Sequence, residues 1–508
     1  MRTTPLLPLL AFAAPLAVVG CKQASAPPPA HASSIAWREG DVSDALAEAK
    51  ESARPVLLYW GAVWCPPCNQ MKSTLFKDPA FIAQTARVVP VYLDGDSKGA
   101  QQWGERFGIS GYLTVIILKP DGTEITRISS ATMASQLPSL LKVAASRTSS
   151  IEKLLDEAEH NTDALGEDDW RILGSFDWRN DPKHFQDQAG AVAVLDKLSA
   201  KAPDLALKRR FALLALAVAA KKGDDGKLSL TPAQQQGVEA ILPPMLASKD
   251  EVLANRQELI YDAPAMVAAL PADVRAGLAP LLIAAADAIY ANPALSLTER
   301  VDAANVDLAL GKVNGKAPPA LLAKVRDRAA WADRSAKDKM TRQAVIDDAA
   351  YLLFDAGDHA GAKRLLTNEL TRSDQPYYYM SSLAYFAEQE GDKRGAVEWA
   401  KKAYDASQGP ATRVQWAINY SLAVLRDTPQ DKAAVSASAQ AAIDELGKSP
   451  DSYYQRTRVK VGKWGAKLRE WAARNNGGAV LADLEKKMGA VCAREGAQAG
   501  ACNAWAKA

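Results

Sequence analysis

The sequence predicts a small α/β domain followed by a large all-α region of helical repeats. Three observations carry this. Strand-length apolar runs alternate with helical segments over residues 36–147, strand signals nearly vanish after Ser150, and a 34-residue spacing recurs between Tyr351 and Pro410. At 508 residues the chain is too long for one ordinary domain. Its hydrophobic share of 48% suffices for sizeable cores. The 61 Lys+Arg nearly balance the 59 Asp+Glu, leaving a formal net charge of +2. Binding to nucleic acid by counterion release needs a clear basic surplus, so nucleic acid is not an expected partner.

The first element is an address. After Arg2, the mostly apolar stretch Leu6–Val19 covers 14 residues, short for a membrane span but suited to the apolar core of a signal peptide. It ends in Val18-Val19-Gly20-Cys21, which resembles the bacterial lipoprotein cleavage box. The resemblance implies removal of residues 1–20 and lipidation of Cys21. Val18 stands where that box more often has Leu, and the other reading is an ordinary secretory signal cleaved nearby. Residues 21–35 contain Ala24-Ser25-Ala26-Pro27-Pro28-Pro29-Ala30 and read as a flexible tether. In lipoproteins a non-acidic residue after the cysteine, here Lys22, implies outer-membrane sorting in a Gram-negative host. The implied location is the periplasm-facing cell envelope, with the membrane reached through the lipid. Phe211–Ala220 is too short to span, and Gly277–Tyr290 is broken by Asp287; both are expected as buried helices.

Residues 36–147 form the α/β unit. Asp44–Ser52 has a helical pattern, and Val56-Leu57-Leu58-Tyr59-Trp60 is an apolar run of strand length. Trp64-Cys65-Pro66-Pro67-Cys68 follows, then a helical stretch from about Asn69 to Phe76. Val88–Leu93 and Thr114–Leu118 read as strands about a helix at Gln101–Phe107. Lys119-Pro120-Asp121-Gly122 is a turn by composition, leading to a strand at Glu124–Ile128 and a helix from about Ala134 to Ala145. Cys65 and Cys68, three apart at a strand-to-helix turn, suit a disulfide. Cys65 also sits where a helix N-terminus stabilises thiolate. The first thiolate attacks a target disulfide and the second thiol resolves the mixed disulfide. Pro66 and Pro67 offer no N–H to the sulfur and stiffen the turn. No second Cys/His pair stands at zinc-ligand spacing, and neither a metal nor a cofactor is expected.

Strand, Trp-Cys-x-x-Cys, helix and then Gly111-Tyr112-Leu113-Thr114 before a strand resemble the thioredoxin superfamily. The stretch Ala49-Lys50 through Pro55–Leu58, with Trp64-Cys65, Phe76 and Asp78-Pro79, looks most like one branch of it. That branch includes the periplasmic thioredoxin-like domain of the bacterial transmembrane electron transporter for disulfide reduction. The resemblance implies Cys65 and Cys68 as the catalytic, redox-active pair. Trp64, Pro66, Pro67, Tyr112 and Leu113 become active-site neighbours. Protein thiols and disulfides are the implied substrates, and a membrane electron donor is a further partner. Two positions depart from the pattern. Leu113 stands where thioredoxins have a cis-proline, and a cis bond before a non-proline costs ~2.5–4 kcal/mol, so Tyr112–Leu113 is expected to be trans. Tyr59 stands where thioredoxins often bury an acid, so deprotonation of Cys68 is expected to need water or be slow.

Residues 148–340 read as all-helical. Within 341–450, Gly357-Asp358 recurs as Gly391-Asp392, Gly361-Ala362 as Gly395-Ala396, Tyr351 as Tyr385 and Pro376 as Pro410, each at an offset of 34. This resembles the tetratricopeptide repeat, with Gly-Asp making the turn and Pro stopping the second helix. The resemblance implies a surface for a peptide or protein. Tyr377-Tyr378-Tyr379 and Trp399 are either groove aromatics or, as favoured, inter-repeat packing. Trp170, Trp178, Trp464 and Trp471 read as helix anchors. A third copy running to Pro450 lacks the Gly-Asp. In residues 451–508, Cys492 and Cys502 are expected as a structural disulfide, with an electron relay to Cys65/Cys68 as the alternative. The leading functional reading is a lipid-anchored thiol–disulfide oxidoreductase of the envelope. The alternative is an interaction scaffold whose thioredoxin-like domain is weakly active or inactive.

Overall fold

The computed structural model describes residues 34–505, apart from residues 40, 110, 130–133, 135, 145–148, 180–183, 186, 224–226, 449–452 and 504. Cys21, Pro450, the apolar leader and most of the tether lie outside the described residues. The N-terminal sheet has strand order β1-β3-β2-β4-β5. Its strands are β1 (Arg38–Glu39), β2 (Val56–Gly61), β3 (Val89–Asp94), β4 (Thr114–Leu118) and β5 (Glu124–Ile128). β1 and β2 flank β3 in parallel, β4 runs antiparallel to β2, and β5 antiparallel to β4. Around it lie α1 (Val42–Ser52), α2 (Pro66–Ser73), α3 (Pro79–Thr85), α4 (Ala100–Arg106) and α5 (Leu137–Ala144).

The unbroken apolar run of β2 reflects cover on both faces. Leu57 and Tyr59 pack with Cys68, Met71 and Phe81, whereas Val56, Leu58 and Trp60 pack with Val42, Ala45 and Ala100. Ile35, assigned to the tether, is buried with the first set. The β4–β5 turn forms as its composition requires: Gly122 has φ +85°, and Asp121 accepts a bond from the Thr123 amide at 2.8 Å. α2 starts earlier than expected and ends at Ser73, followed by a 3-10 turn at Leu75–Lys77. Its first two positions are Pro66 and Pro67, where a missing N–H costs no helical bond.

The rest is helical. α6 (Ile151–His160), α7 (Glu167–Ser175), α8 (Gln188–Lys201) and α9 (Leu205–Ala219) extend the core below the sheet. A short hairpin, β6 (Lys221–Lys222) with β7 (Leu228–Ser229), leads to α10 (Pro232–Leu246). Then follow α11 (Lys249–Ala254), α12 (Arg256–Tyr261), α13 (Ala263–Ala268), α14 (Ala272–Ala291), α15 (Leu297–Asp302), α16 (Ala304–Gly311) and α17 (Pro319–Ser335). Helix pairs finish the chain: α18 (Lys339–Asp355) with α19 (His359–Glu369), α20 (Pro376–Gln389) with α21 (Lys393–Ala406), and α22 (Pro410–Asp427) with α23 (Lys432–Leu446). α24 (Gln455–Arg474), α25 (Gly478–Cys492) and α26 (Ala499–Asn503) close it.

The 34-residue spacing has a local cause. Gly357 and Gly391 take φ of +94° and +81°, and Asp358 and Asp392 cap the following helices by accepting from the Gly361 and Gly395 amides at 3.0 and 2.9 Å. A Cβ on Gly361 or Gly395 would meet the capping carboxylate, which explains the small residue three positions on. The expectation for proline was wrong: Pro376 and Pro410 begin α20 and α22 rather than stop their predecessors. The third pair replaces Gly-Asp with Asp431, which caps α23 through the Ala434 amide at 2.9 Å.

α14 also departs from expectation. It is 20 residues long and apolar enough to cross a membrane by length and composition, yet only 28% of its apolar window is buried. Leu281 is 47% exposed and lines an apolar groove with Leu246, Val252 and Leu253. Its apolar pattern runs round the whole helix, so no single stripe marked the packed face.

Candidate functional site

Cys65 is the N-cap of α2, with extended backbone at φ −78° and ψ 115°. This cap brings it to Cys68, and the two are joined as a disulfide with Cα atoms 5.2 Å apart. The Cys65 Sγ faces the Cys68 amide at 3.3 Å, a weak bond of the kind that stabilises negative sulfur at a helix N-terminus. Both cysteines are buried, Cys65 at 1% exposure, whereas Val63 two residues earlier is 47% exposed.

The wall opposite α2 corrects an expectation. The Tyr112–Leu113 bond is cis, without proline. Packing holds both residues. Leu113 is in the same core as Cys65 and Cys68, and Tyr112 lies between Trp60 and Trp64 at ring distances of 5.7 and 5.1 Å. Gly95 is required beneath it, since a Cβ there would strike the Tyr112 hydroxyl. Arg456 from α24 places its guanidinium 4.9 Å over the Tyr112 ring.

Tyr59 is buried and its hydroxyl has no hydrogen-bond partner among the described residues. Burial, and then the Asp94 charge, hold its pKa far above the usual tyrosine value. It stacks on Tyr92 at 5.2 Å, and Tyr92 donates to Asp94 at 2.8 Å. Lys72, one helical turn after Cys68, lies 4.9 Å over the Tyr92 ring, and burial lowers its pKa. Thus Tyr59 packs with a second tyrosine and a lysine, and the carboxylate of this cluster is Asp94.

The largest difference from the sequence reading lies outside the sheet. The helical region packs on the residues around the dithiol. The Trp64 indole N–H donates to Thr412 Oγ1 at 2.8 Å, and Thr412 Oγ1 in turn bonds the Asp96 carboxylate. The Thr412 amide donates to the other Asp96 oxygen at 2.7 Å. Helix α22 has a glycine N-cap with no side chain, so Asp96 supplies from the sheet unit the capping carboxylate that α22 lacks. Gly409 has φ +87°, and a Cβ there would collide with Asp96. Burial pushes the Asp96 pKa up, opposed by its bonds from Thr412.

Other contacts extend this packing. Tyr378 stacks on Trp64 at 6.2 Å and Trp416 meets it edge-on at 6.5 Å. Gln70 donates to Ser296 at 2.7 Å, Arg458 pairs with Glu105 at 3.0 Å, and α18 packs along α2. Tyr377 and Tyr379 are buried, in line with the favoured packing reading, whereas Tyr378 reaches the dithiol loop. Asp96, Thr412, Trp416 and Arg456 had no motif to mark them. Their partners are more than 300 residues away, and only the proline-started break at Gly409-Pro410 hinted at an unusual helix start.

Behind Tyr378 lie buried carboxyls on α15 and α18. Burial raises Asp302 and Asp347 each to about 7, and Tyr261 bonds Asp302. Among the described residues, no group of three or more His, Cys, Asp or Glu is placed to hold a metal. Cys492 and Cys502 form a second disulfide, fully buried in a core with Trp464 and Trp505, separate from the core that holds Cys65 and Cys68. Trp170, Trp178, Trp464 and Trp471 are buried anchors.

Residues 42–145 match the model of the thioredoxin-like domain family. Among solved structures, a thioredoxin from Thermus thermophilus is 25% identical, with 21% of this chain and 86% of that chain covered, at a TM-score of 0.20. A structure described as DsbH oxidoreductase is 17% identical, covering 22% and 88%, at a TM-score of 0.19. No curated protein matches the chain. Residues 42–145 are therefore a thioredoxin-like domain, carrying a bonded Cys65–Cys68 pair and followed by a long helical region that is repeat-like in its later half.

Proposed function

We propose that the chain is a thiol–disulfide oxidoreductase of the cell envelope, exchanging disulfides with protein clients. The observation that carries this reading is the Cys65–Cys68 disulfide at the N-terminus of α2 in a thioredoxin-like domain. In the reducing direction, the Cys65 thiolate attacks a client disulfide and one client sulfur leaves as thiolate. The Cys68 thiolate then attacks Cys65, its proton passing to solvent, and the client departs with two thiols. Two electrons leave the dithiol, and a membrane dithiol donor restores them. The Val18–Cys21 box supports lipid anchoring at Cys21 facing the periplasm, and the paired helices support a surface for a peptide or protein. The test is Cys68→Ser. It should trap a mixed disulfide through Cys65 that added dithiothreitol releases, and Cys65→Ser should trap none. Equal trapping by both variants would contradict the assigned roles.

A second reading is favoured by the burial of Cys65. In it the thioredoxin-like domain is weakly active or inactive, and the helical region serves as an interaction scaffold. Its mark would be normal cellular behaviour of a chain lacking both thiols.

A further inference from the structure

We infer that the helical region is an intramolecular partner of the dithiol site, holding it closed, and that a client must displace it to reach Cys65. This deepens the oxidoreductase reading and rests on it. The argument begins with exchange chemistry. An incoming sulfur must approach Cys65 Sγ along the line of the S–S bond, which requires open space beside that atom. Cys65 is 1% exposed and Cys68 is fully buried, so neither sulfur offers that approach in the closed arrangement.

The later helices pack on the residues that flank the pair and on α2. Trp64, immediately before Cys65, is bonded to Thr412 and stacked by Tyr378. The cis Tyr112–Leu113 wall is overlain by Arg456. Asp96, on the loop after β3, caps α22. These contacts belong to one clasp, because Thr412 Oγ1 accepts from Trp64 and donates to Asp96 at once. A client segment approaching Cys65 meets the same three surfaces: the Trp64 ring, the Tyr112–Leu113 wall and the Asp96 loop. Client and helical region therefore compete for one site.

The clasp suits release. Its polar members are groups that water can satisfy once the surfaces part, so breaking it costs less than exposing an apolar core of equal size. Around it, opening must also part Glu105 from Arg458, Gln70 from Ser296 and α18 from α2.

Thr412→Val tests this directly. Valine keeps the shape of threonine and the backbone bond to Asp96 Oδ1, but leaves the Trp64 N–H and Asp96 Oδ2 without their bonds to the hydroxyl while the site is closed, which shifts the balance towards the open form. The reaction is exchange with dithiothreitol under native conditions. Its thiolate attacks Cys65, and Cys68 leaves as thiolate and takes a proton; the second dithiothreitol thiolate then attacks the dithiothreitol sulfur bonded to Cys65, closing the cyclic disulfide as Cys65 leaves as thiolate and takes a proton. Two electrons pass to the protein. The variant should exchange roughly tenfold faster than the parent, in keeping with one lost buried hydrogen-bond network. Arg458→Gln, at the rim and away from the sulfurs, should speed exchange by a smaller factor, and it serves if Thr412→Val fails to fold. Circular dichroism and an intact Cys492–Cys502 disulfide establish folding. Equal rates in the parent and both folded variants would overturn the clasp and leave the oxidoreductase reading standing. No exchange in any of the three would overturn that reading itself.

Discussion

Tyr59 shows how one residue reports its surroundings. Its hydroxyl is buried without a hydrogen-bond partner among the described residues, beside the Asp94 charge that disfavours its ionisation. Tyr59→Phe removes an unpaired polar atom and keeps the ring contacts with Tyr92 and Phe76. It should raise the thermal midpoint, by an amount equivalent to about 1 kcal/mol, measured by calorimetry. A lowered midpoint would mean the hydroxyl has a partner. At this scale much of the site was legible: Cys65, Cys68 and Trp64 stood out by spacing, and Tyr59 and Leu113 as departures from the pattern of the superfamily the chain resembles. The peptide geometry at Leu113 did not, because the propensity of one bond is overridden by the packing of Tyr112 between two tryptophans, and neither tryptophan is adjacent to it in sequence.

Among the elements, caps and cross-links set the stability of the helix pairs. Asp392 accepts from the Gly395 amide, so Asp392→Ala should cost about 1 kcal/mol in urea unfolding, as N-cap losses do. A change below the error of the measurement would remove the cap from the account of the 34-residue spacing. Cys492 and Cys502 close a short loop onto α26; replacing both with serine should lower stability by about 2–3 kcal/mol. The same variant should leave dithiothreitol exchange at Cys65–Cys68 unchanged, and a changed rate would revive the electron-relay alternative. The repeat was readable because its determinants are local: a glycine at positive φ, an aspartate cap and a proline at the first helical position. The exposure of α14 was not, because a helix apolar on every side does not say which face finds a neighbour.

Across the whole molecule, the unforeseen feature is the packing of the helical region around the dithiol. Contacts such as Trp64–Thr412 and Glu105–Arg458 join residues more than 300 positions apart, and no pattern within either segment encodes its partner. This packing also places carboxyls where water is scarce, giving stability a pH dependence. Asp347 has a folded pKa raised to about 7 by burial, above its unfolded value, so the folded chain holds that proton more tightly than the unfolded one. Its contribution is fully present below the unfolded pKa and is lost as pH rises through about 7. Asp347→Asn should therefore gain on the parent as pH rises from 5, by roughly 1.4 kcal/mol for each pH unit up to about 7, and no further between there and pH 8. Urea midpoints at the two pH values check this, and a gap independent of pH would contradict it.

The central claim is that Cys65–Cys68 is a redox couple within a thioredoxin-like domain. Its most direct test is equilibration of the native protein in dithiothreitol buffers of graded ratio, followed by acid quench, alkylation and mass spectrometry of the four described cysteines. The account predicts a reversible two-electron transition of Cys65–Cys68 at one potential, while Cys492–Cys502 stays bonded throughout that range. If Cys65–Cys68 stays bonded until the chain unfolds, or opens only together with Cys492–Cys502, the claim is contradicted.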